Sequence, residues 1–228
     1  VERLAPSQAR EIRARIRSGQ WEATGVFEVE SDTNLPCGES LARQTRVGQG
    51  KFAELLGGKL SRVCWIPDVF GYSGCLPQIL ALGGARYFFT TKMTWSQITK
   101  FPYSSFVWRG LDGTEIVTHL CSTTYNGDVS IQNNVTALNE HRQSDVHPEM
   151  LLPTGWGDGG GGVTEEMIER ARRTANLAGV PRTTWTTAEE FFRRLDRVRG
   201  DLPVYQGELY LEYHRGTYTT QGEYKRRH

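Results

Sequence analysis

The chain has no long hydrophobic run. Its apolar stretches are a few residues each, far short of the roughly 20 that a bilayer-spanning helix needs. It has no surplus of one charge: Lys plus Arg is 27, Asp plus Glu is 26, and the formal net charge is +1. That balance argues against nucleic acid or an anionic membrane as the main partner, since both call for a basic surplus or patch. Cysteine is scarce. The four present, Cys37, Cys64, Cys75 and Cys121, form no CxxC or CxH pair, which excludes a disulfide scaffold and weakens a zinc-finger reading. Buried free thiols fit a reducing compartment. There is no HExxH, no HxH and no His-x-Asp, and no glycine loop ending in GK[ST]. An initiator Met and a basic, apolar leader are also missing. The sequence opens as if in the middle of a domain and stops on a polar run, so it is expected to be a fragment.

What is present describes a folded α/β chain. Apolar residues at 38% and charged residues at 23% rule out charge-driven disorder. A chain of 228 residues forms one domain or two small ones and buries about 70% of its unfolded surface. Ala5, Ala9, Ile12 and Ile16 mark one face of a helix that Gly19 stops. The Val- and Phe-rich alternation over Trp21–Glu30 predicts a strand, and Glu39–Leu56 a helix closed by Gly57 and Gly58. Arg62–Ile66 and Arg86–Thr91 predict strands, with a helix over Ser73–Gly83 between them, capped by Ser73. Ser105–Leu120 predicts a hairpin around Leu111-Asp112-Gly113. Tyr125–Pro148 is polar and reads as loop with a short helix. Thr164 opens a helix expected to reach Ala178, Thr187 and Glu190 form a capping box for another, and Glu208–His214 alternates like a strand. Alternating strands and helices imply βα units, a largely parallel sheet, and a site at the C-terminal strand ends.

Two strand ends carry chemistry. Asp68 follows an apolar strand through Pro67 and can act as metal ligand, nucleophile or base; a turn Asp bonding its own backbone is the plainer alternative. His214 closes the last alternating run and can ligate a metal, as half of a nitrogen–oxygen site with Asp68, although a lone His is more often structural. The run Gly157-Asp-Gly-Gly-Gly-Gly162 lacks the spacing of a nucleotide loop. Its glycines let Asp158 approach a ligand closely or simply make a surface loop. A second carboxylate beside Asp68 would supply the pair that glycoside hydrolysis needs. Trp65, Phe70, Trp95, Trp108, Tyr125 and Trp156 near strand ends fit a carbohydrate cleft, with core packing preferred for Trp108.

Trp65-Ile-Pro-Asp-Val-Phe-Gly-Tyr-Ser73 with Leu76-Pro-Gln-Ile-Leu80 resembles the nucleophile segment of glycoside hydrolase family 38, the α-mannosidases. Six more stretches agree, beginning at Gly19, Asn34, Thr91, Phe106, Gly157 and Glu212; the last two resemble the cytosolic and bacterial branch. The resemblance implies an irregular (β/α)7-type barrel without its first strand, all 228 residues belonging to that one catalytic domain, and no downstream helical or β-sandwich domain. It implies a retaining, zinc-dependent α-mannosidase acting on mannose-containing glycans in the cytoplasm, and leaves homo-oligomerisation of the full-length protein open. Asp68 matches the nucleophile and a zinc ligand, His214 a zinc-binding His, and Phe70 an aromatic beside the bound sugar. Asp158 falls in the region of the acid/base, and Lys92 and Tyr125 are candidates for substrate contacts. The family's His-x-Asp zinc pair does not occur here, so its ligands are expected upstream of Val1. With two of four ligands the chain as given should bind zinc weakly and have little or no activity. The competing readings are a non-catalytic sugar-binding fragment and another metal-dependent polysaccharide hydrolase, such as a deacetylase.

Overall fold

Helix starts in this chain follow from its prolines, threonines and acidic first turns. In the computed structural model, which describes residues 5–158 and 160–227, α1 (Pro6–Arg17) begins on Pro6, whose missing N–H costs nothing in a first turn. Gly159 of the glycine run lies outside the described residues. The second helix, α2 (Gly38–Leu55), covers the expected span. A Cβ on its Gly48 would lie 2.2 Å from the Val26 carbonyl oxygen, so only glycine lets α2 lie directly on the backbone of residues 26–28. Then come β1 (Val63–Trp65), α3 (Leu76–Leu82), β2 (Tyr87–Thr90), β3 (Ser105–Arg109), β4 (Glu115–Leu120) and α4 (Ile131–Asn139). The chain continues through α5 (Glu165–Thr174), α6 (Ala188–Asp196), β5 (Val204–Gln206), α7 (Gly216–Thr219) and α8 (Gly222–Arg227).

The strands form one sheet in the order β1-β2-β4-β3-β5. β1, β2 and β4 run parallel, β3 returns antiparallel to β4 as the predicted hairpin, and β5 lies parallel to β3. Side chains alternate between two cores. Cys64, Phe88, Phe106, Trp108 and Ile116 pack with Leu41, Leu76 and Leu80 from α2 and α3. Val63, Tyr87, Phe89, Val107 and Val117 pack with Phe191, Phe192 and Leu195 of α6. Both faces are covered, which is why β2 is apolar without alternation. Trp108 is fully buried, and its indole N–H donates to the Gly207 carbonyl at 2.8 Å; it is core, as preferred from sequence.

Several expectations are corrected. The sheet is mixed and open, and its edge strands β1 and β5 do not meet, so these residues form no closed barrel; closure needs strand pairing all the way round. Trp21–Glu30 forms no strand. Val26 and Phe27 are buried, but the Gly25 N–H donates to Val63 of β1 at 3.1 Å and the Glu28 N–H to Gln44 of α2 at 3.2 Å. Bonds to two different elements make no ladder. Glu208–His214 forms no strand: Leu209 and Leu211 are buried, yet the segment pairs only as a bridge between Leu209 and Tyr72, and the strand lies earlier, at β5. Its alternation records one buried side without a neighbouring strand. Ser73 does not cap α3: Cys75 stands at that position and the Ser73 hydroxyl faces the Cys75 sulfur at 3.2 Å. Thr164 caps α5 through the Met167 N–H at 3.2 Å, but the helix ends at Thr174 rather than Ala178. Of the expected capping box, the Thr187 hydroxyl accepts the Glu190 N–H at 3.2 Å. The next donors, Ala188 and Glu189 N–H, go to Glu22 at 2.6 and 2.8 Å.

Candidate active site

Because β1, β2 and β4 are parallel, their C-terminal ends share one edge of the sheet. Asp68 follows β1, Lys92 follows β2 in a short 3-10 turn (Lys92–Trp95), and Tyr125 follows β4. These three sequence-predicted residues therefore stand just past C-terminal strand ends.

Asp68 and Lys92 form an ion pair between Oδ1 and Nζ. The Lys92 side chain is 4% exposed and that of Asp68 39% exposed, so a buried ammonium faces a carboxylate open to solvent. Lys92 Nζ lies 3.5 Å from the centroid of the Trp95 ring and 5.2 Å from that of Phe70, an arrangement that favours a desolvated cation. The His214 ring stands 4.7 Å from Phe70 and 5.6 Å from Trp95. Asp68, Phe70, Lys92 and His214 are thus brought into one cluster, joined by Trp95.

The backbone under Asp68 is held from two sides. The Pro67 carbonyl accepts the Thr91 N–H at 3.2 Å and the Thr91 hydroxyl at 2.9 Å. The Asp68 N–H donates to Glu30 Oε1 at 2.7 Å. Glu30 is exposed on its outer side. Its carboxyl is nonetheless pushed above the usual range, first by lost hydration and further by the Asp68 charge, with the Asp68 N–H pulling it back. Glu30 was not singled out from sequence, nor was Glu212, and both bonds reach far along the chain. Glu212 accepts the N–H groups of Gln97, Ile98 (2.5 Å) and Thr99 (3.1 Å), which hold its carboxyl below the usual range. Those bonds tie the loop after Trp95 to the segment ending in His214. Tyr218 donates to the Phe70 carbonyl, and Asn34 Nδ2 reaches Gly71 O at 3.2 Å and Tyr218 Oη at 2.8 Å. Two separate stretches of sequence thereby hold the backbone of Phe70 and Gly71.

Tyr125 and Asp158 meet across the site. The Gly127 N–H donates to Pro153 O and the Gly155 N–H to Gly127 O, each at 2.9 Å, zipping their two loops together. The Trp156 N–H closes the glycine loop on Gly162 O at 2.9 Å, and a Cβ on Gly161 would come within 2.4 Å of Trp156 O. The Tyr125 hydroxyl donates to Asp158 Oδ1 at 3.3 Å. Burial, then the charges of Asp68 and Asp158, push the Tyr125 phenol up, so it stays protonated and lies within the field of both carboxylates. Asp158 and His214 have left-handed backbones, with φ of 56° and 61°, uncommon for residues other than glycine; Val129 and Gln221 share the feature, so it does not by itself mark a site. Of the other aromatic candidates, Trp156 is exposed on the glycine loop, while Trp65 stacks on Phe89 with centroids 3.9 Å apart. Beside Tyr125, a polar concavity of about 420 Å³ is lined by Thr123, Asn126, Asp128 and Asn133.

A complete zinc site does not fit these residues: among the described residues no three His, Cys, Asp or Glu side chains converge as ligands. The Asp68 carboxylate is instead taken up by Lys92. All four cysteines are free, with Cys64 and Cys121 buried, and no helix of the described residues is long and apolar enough to cross a membrane.

Comparison with known proteins gives concordant results. The sequence model of the glycosyl hydrolases family 38 N-terminal domain matches residues 1–208. Alpha-mannosidase G of Dictyostelium discoideum is 40% identical over 222 residues, covering 97% of this chain and 20% of its own length. An alpha-mannosidase of Saccharomyces cerevisiae is 39% identical over 223 residues, covering 93% and 20%. Human alpha-mannosidase 2C1 is 37% identical over 209 residues, covering 91% and 20%. The chain thus spans about a fifth of the length of the curated relatives it matches. The crystal structure of an alpha-mannosidase from Enterococcus faecalis V583 superposes with a TM-score of 0.70 at 18% identity, over 91% of this chain and 24% of that one. A 4-alpha-glucanotransferase from Thermococcus litoralis does so at 0.53 and 15% identity, over 85% and 30%, a likeness of fold alone.

Proposed function

The chain belongs to glycosyl hydrolase family 38, and from that premise we propose that its full-length protein is a retaining α-mannosidase in which Asp68 is the nucleophile. The observation that carries this is the Asp68 carboxylate, just past the C-terminal end of a parallel strand and paired with Lys92, whose ammonium lies over the Phe70 and Trp95 rings on which the His214 ring packs. Aromatic faces suit the apolar face of a pyranose. Lys92 balances the Asp68 charge and has ammonium protons to offer a sugar hydroxyl.

In the proposed reaction an Asp68 oxygen attacks the anomeric carbon as the bond to the leaving oxygen breaks. Asp158 gives that oxygen its proton, and a glycosyl ester of Asp68 results. Asp158 then takes a proton from water, the water oxygen attacks the same carbon, and Asp68 leaves, so mannose is released with its configuration retained. The scheme calls for carboxyl groups about 5–5.5 Å apart. Tyr125, donating to Asp158, keeps that carboxylate in place between the two steps. Zinc belongs to this proposal as a requirement of the whole enzyme. Asp68 and His214 would be two of its ligands, completed by residues beyond these 228, and no step above depends on it. The substrate class is a mannose-containing glycan. A cytoplasmic setting goes with this reading and is supported by the four free thiols.

The test is hydrolysis of an aryl α-mannoside by the full-length protein, with the first-formed anomer identified by proton NMR. Release of α-mannose by the wild type and loss of roughly 10³-fold or more in kcat for Asp68→Ala are expected. Release of β-mannose, or of acetate from an acetylated glycan instead, would contradict it.

A further inference from the structure

The carbonyl of Pro67 and the N–H of Asp68 belong to one peptide group. Being planar and trans, that group points its two polar atoms in opposite directions. Here both are engaged: the carbonyl by the Thr91 N–H and hydroxyl beyond β2, and the N–H by Glu30 from the segment ahead of α2. Two bonds at opposite ends fix the rotation of the plane about the chain axis. That rotation sets where the Asp68 Cα–Cβ bond points, and so where its carboxylate sits. We propose that Glu30 is a positioning residue that, by accepting the Asp68 N–H, keeps the Asp68 carboxylate on Lys92, whose ammonium lies over the Phe70 and Trp95 rings. The inference rests on Asp68 being the nucleophile and adds a residue that acts through it.

Among the described residues Glu30 stands in no ion pair with a basic side chain, unlike the neighbouring Glu28, which pairs with Lys51; its carboxylate accepts the Asp68 N–H. Pro67 has no N–H to offer as a substitute anchor, and Asp68 is followed by residues bound elsewhere: the Phe70 and Gly71 carbonyls accept from Tyr218, Asn34 and Thr33. Without Glu30 the peptide is held at its carbonyl only.

The experiment uses the full-length protein and two variants. Glu30→Gln keeps an oxygen that can accept the N–H and removes the charge, whereas Glu30→Ala removes the acceptor. Glu30→Ala is expected to lower kcat by about 10–100-fold, the scale of loss for a small misplacement of a reacting group, with KM within about threefold of wild type. Glu30→Gln should recover to within about threefold of the wild-type kcat. Hydrogen exchange of the peptide that contains Asp68 should be faster in Glu30→Ala than in Glu30→Gln or the wild type. A purely structural role would lower the melting temperature without a selective loss of kcat. Glu30→Ala with kcat unchanged, or Glu30→Gln as impaired as Glu30→Ala, would overturn the proposal. If Asp68→Ala itself remains active, the nucleophile reading fails. The exchange measurement still judges the clamp on its own, and unchanged exchange in Glu30→Ala would refute it.

Discussion

The buried ammonium of Lys92 depends on the carboxylate it faces. Asp68→Asn removes the counter-charge and leaves Lys92 with its aromatic contacts alone. A fully buried pair broken this way costs more, but Asp68 is partly exposed, so a loss of about 1–3 kcal/mol is expected. Replacing Lys92 by Met in the same chain should return part of it, and urea unfolding of the two single variants and the double variant measures the coupling. Equal, additive losses would show that the pair does not hold Lys92. At this scale the sequence was informative where a residue follows a strand directly. Asp68, Phe70 and Lys92 stand within five residues of a strand end, and their grouping with His214 follows from the Leu209–Tyr72 bridge and the Glu212 bonds to residues 97–99. Glu30 and Glu212 were not legible, because their bonds span 38 and 113 to 115 positions and no local pattern marks a carboxylate that will meet a distant N–H.

Among the elements, β4 carries the clearest dependence on pH. His119 is buried with Nδ1 2.9 Å from the Ser105 hydroxyl and Nε2 accepting the Leu151 N–H at 3.3 Å. His141 donates from Nε2 to the His147 carbonyl at 2.7 Å, and the His119 and His147 rings pack on Phe191 of α6. Burial holds all three below the ordinary 6.5, His119 most strongly, with Asp145 and Glu149 pulling upward on His141 and His147 and Arg194 pushing downward on His147. The unfolded chain therefore takes up protons first as pH falls. Stability should be full above about 6.5 and fall below it, by about 1.4 kcal/mol per pH unit for each His that stays neutral. Urea midpoints at pH 7.5 and 5.5 measure this, and His119→Asn should flatten the difference; equal midpoints in the wild type would refute it. Below that window the raised carboxyls of Glu22 and Glu30 act in the opposite sense. A second element-level prediction concerns α6: Glu22→Ala strips two N–H groups of their acceptor and should cost about 1 kcal/mol, seen as faster exchange in the first turn of that helix. Helices and the hairpin were legible because proline, threonine caps and the Asp112-Gly113 turn act locally. The false strands at Trp21–Glu30 and Glu208–His214 have the right alternation, and alternation reports one buried side, not a hydrogen-bonded neighbour.

For the molecule as a whole, sequence alternation correctly implied parallel βα units but could not tell an open sheet from a closed barrel, since closure depends on which edges meet. These residues leave the edges of β1 and β5 apart and bring together no three metal-ligating side chains among those described. The 228-residue chain on its own should therefore bind zinc more than about 100-fold more weakly than the full-length protein and show little or no zinc-dependent hydrolysis of an aryl α-mannoside. Calorimetric zinc titration of both chains checks the first point, and comparable affinities would refute it.

The most direct test of the account is to trap the covalent intermediate. Full-length protein is treated with a fluorinated mannosyl fluoride that forms the glycosyl ester readily and hydrolyses slowly, and its peptides are mapped by mass spectrometry. The account predicts one fluoromannosyl group per active enzyme, carried by Asp68 on the Trp65–Tyr72 segment. A label on another carboxylate, or turnover with retention and no ester on Asp68, would contradict it.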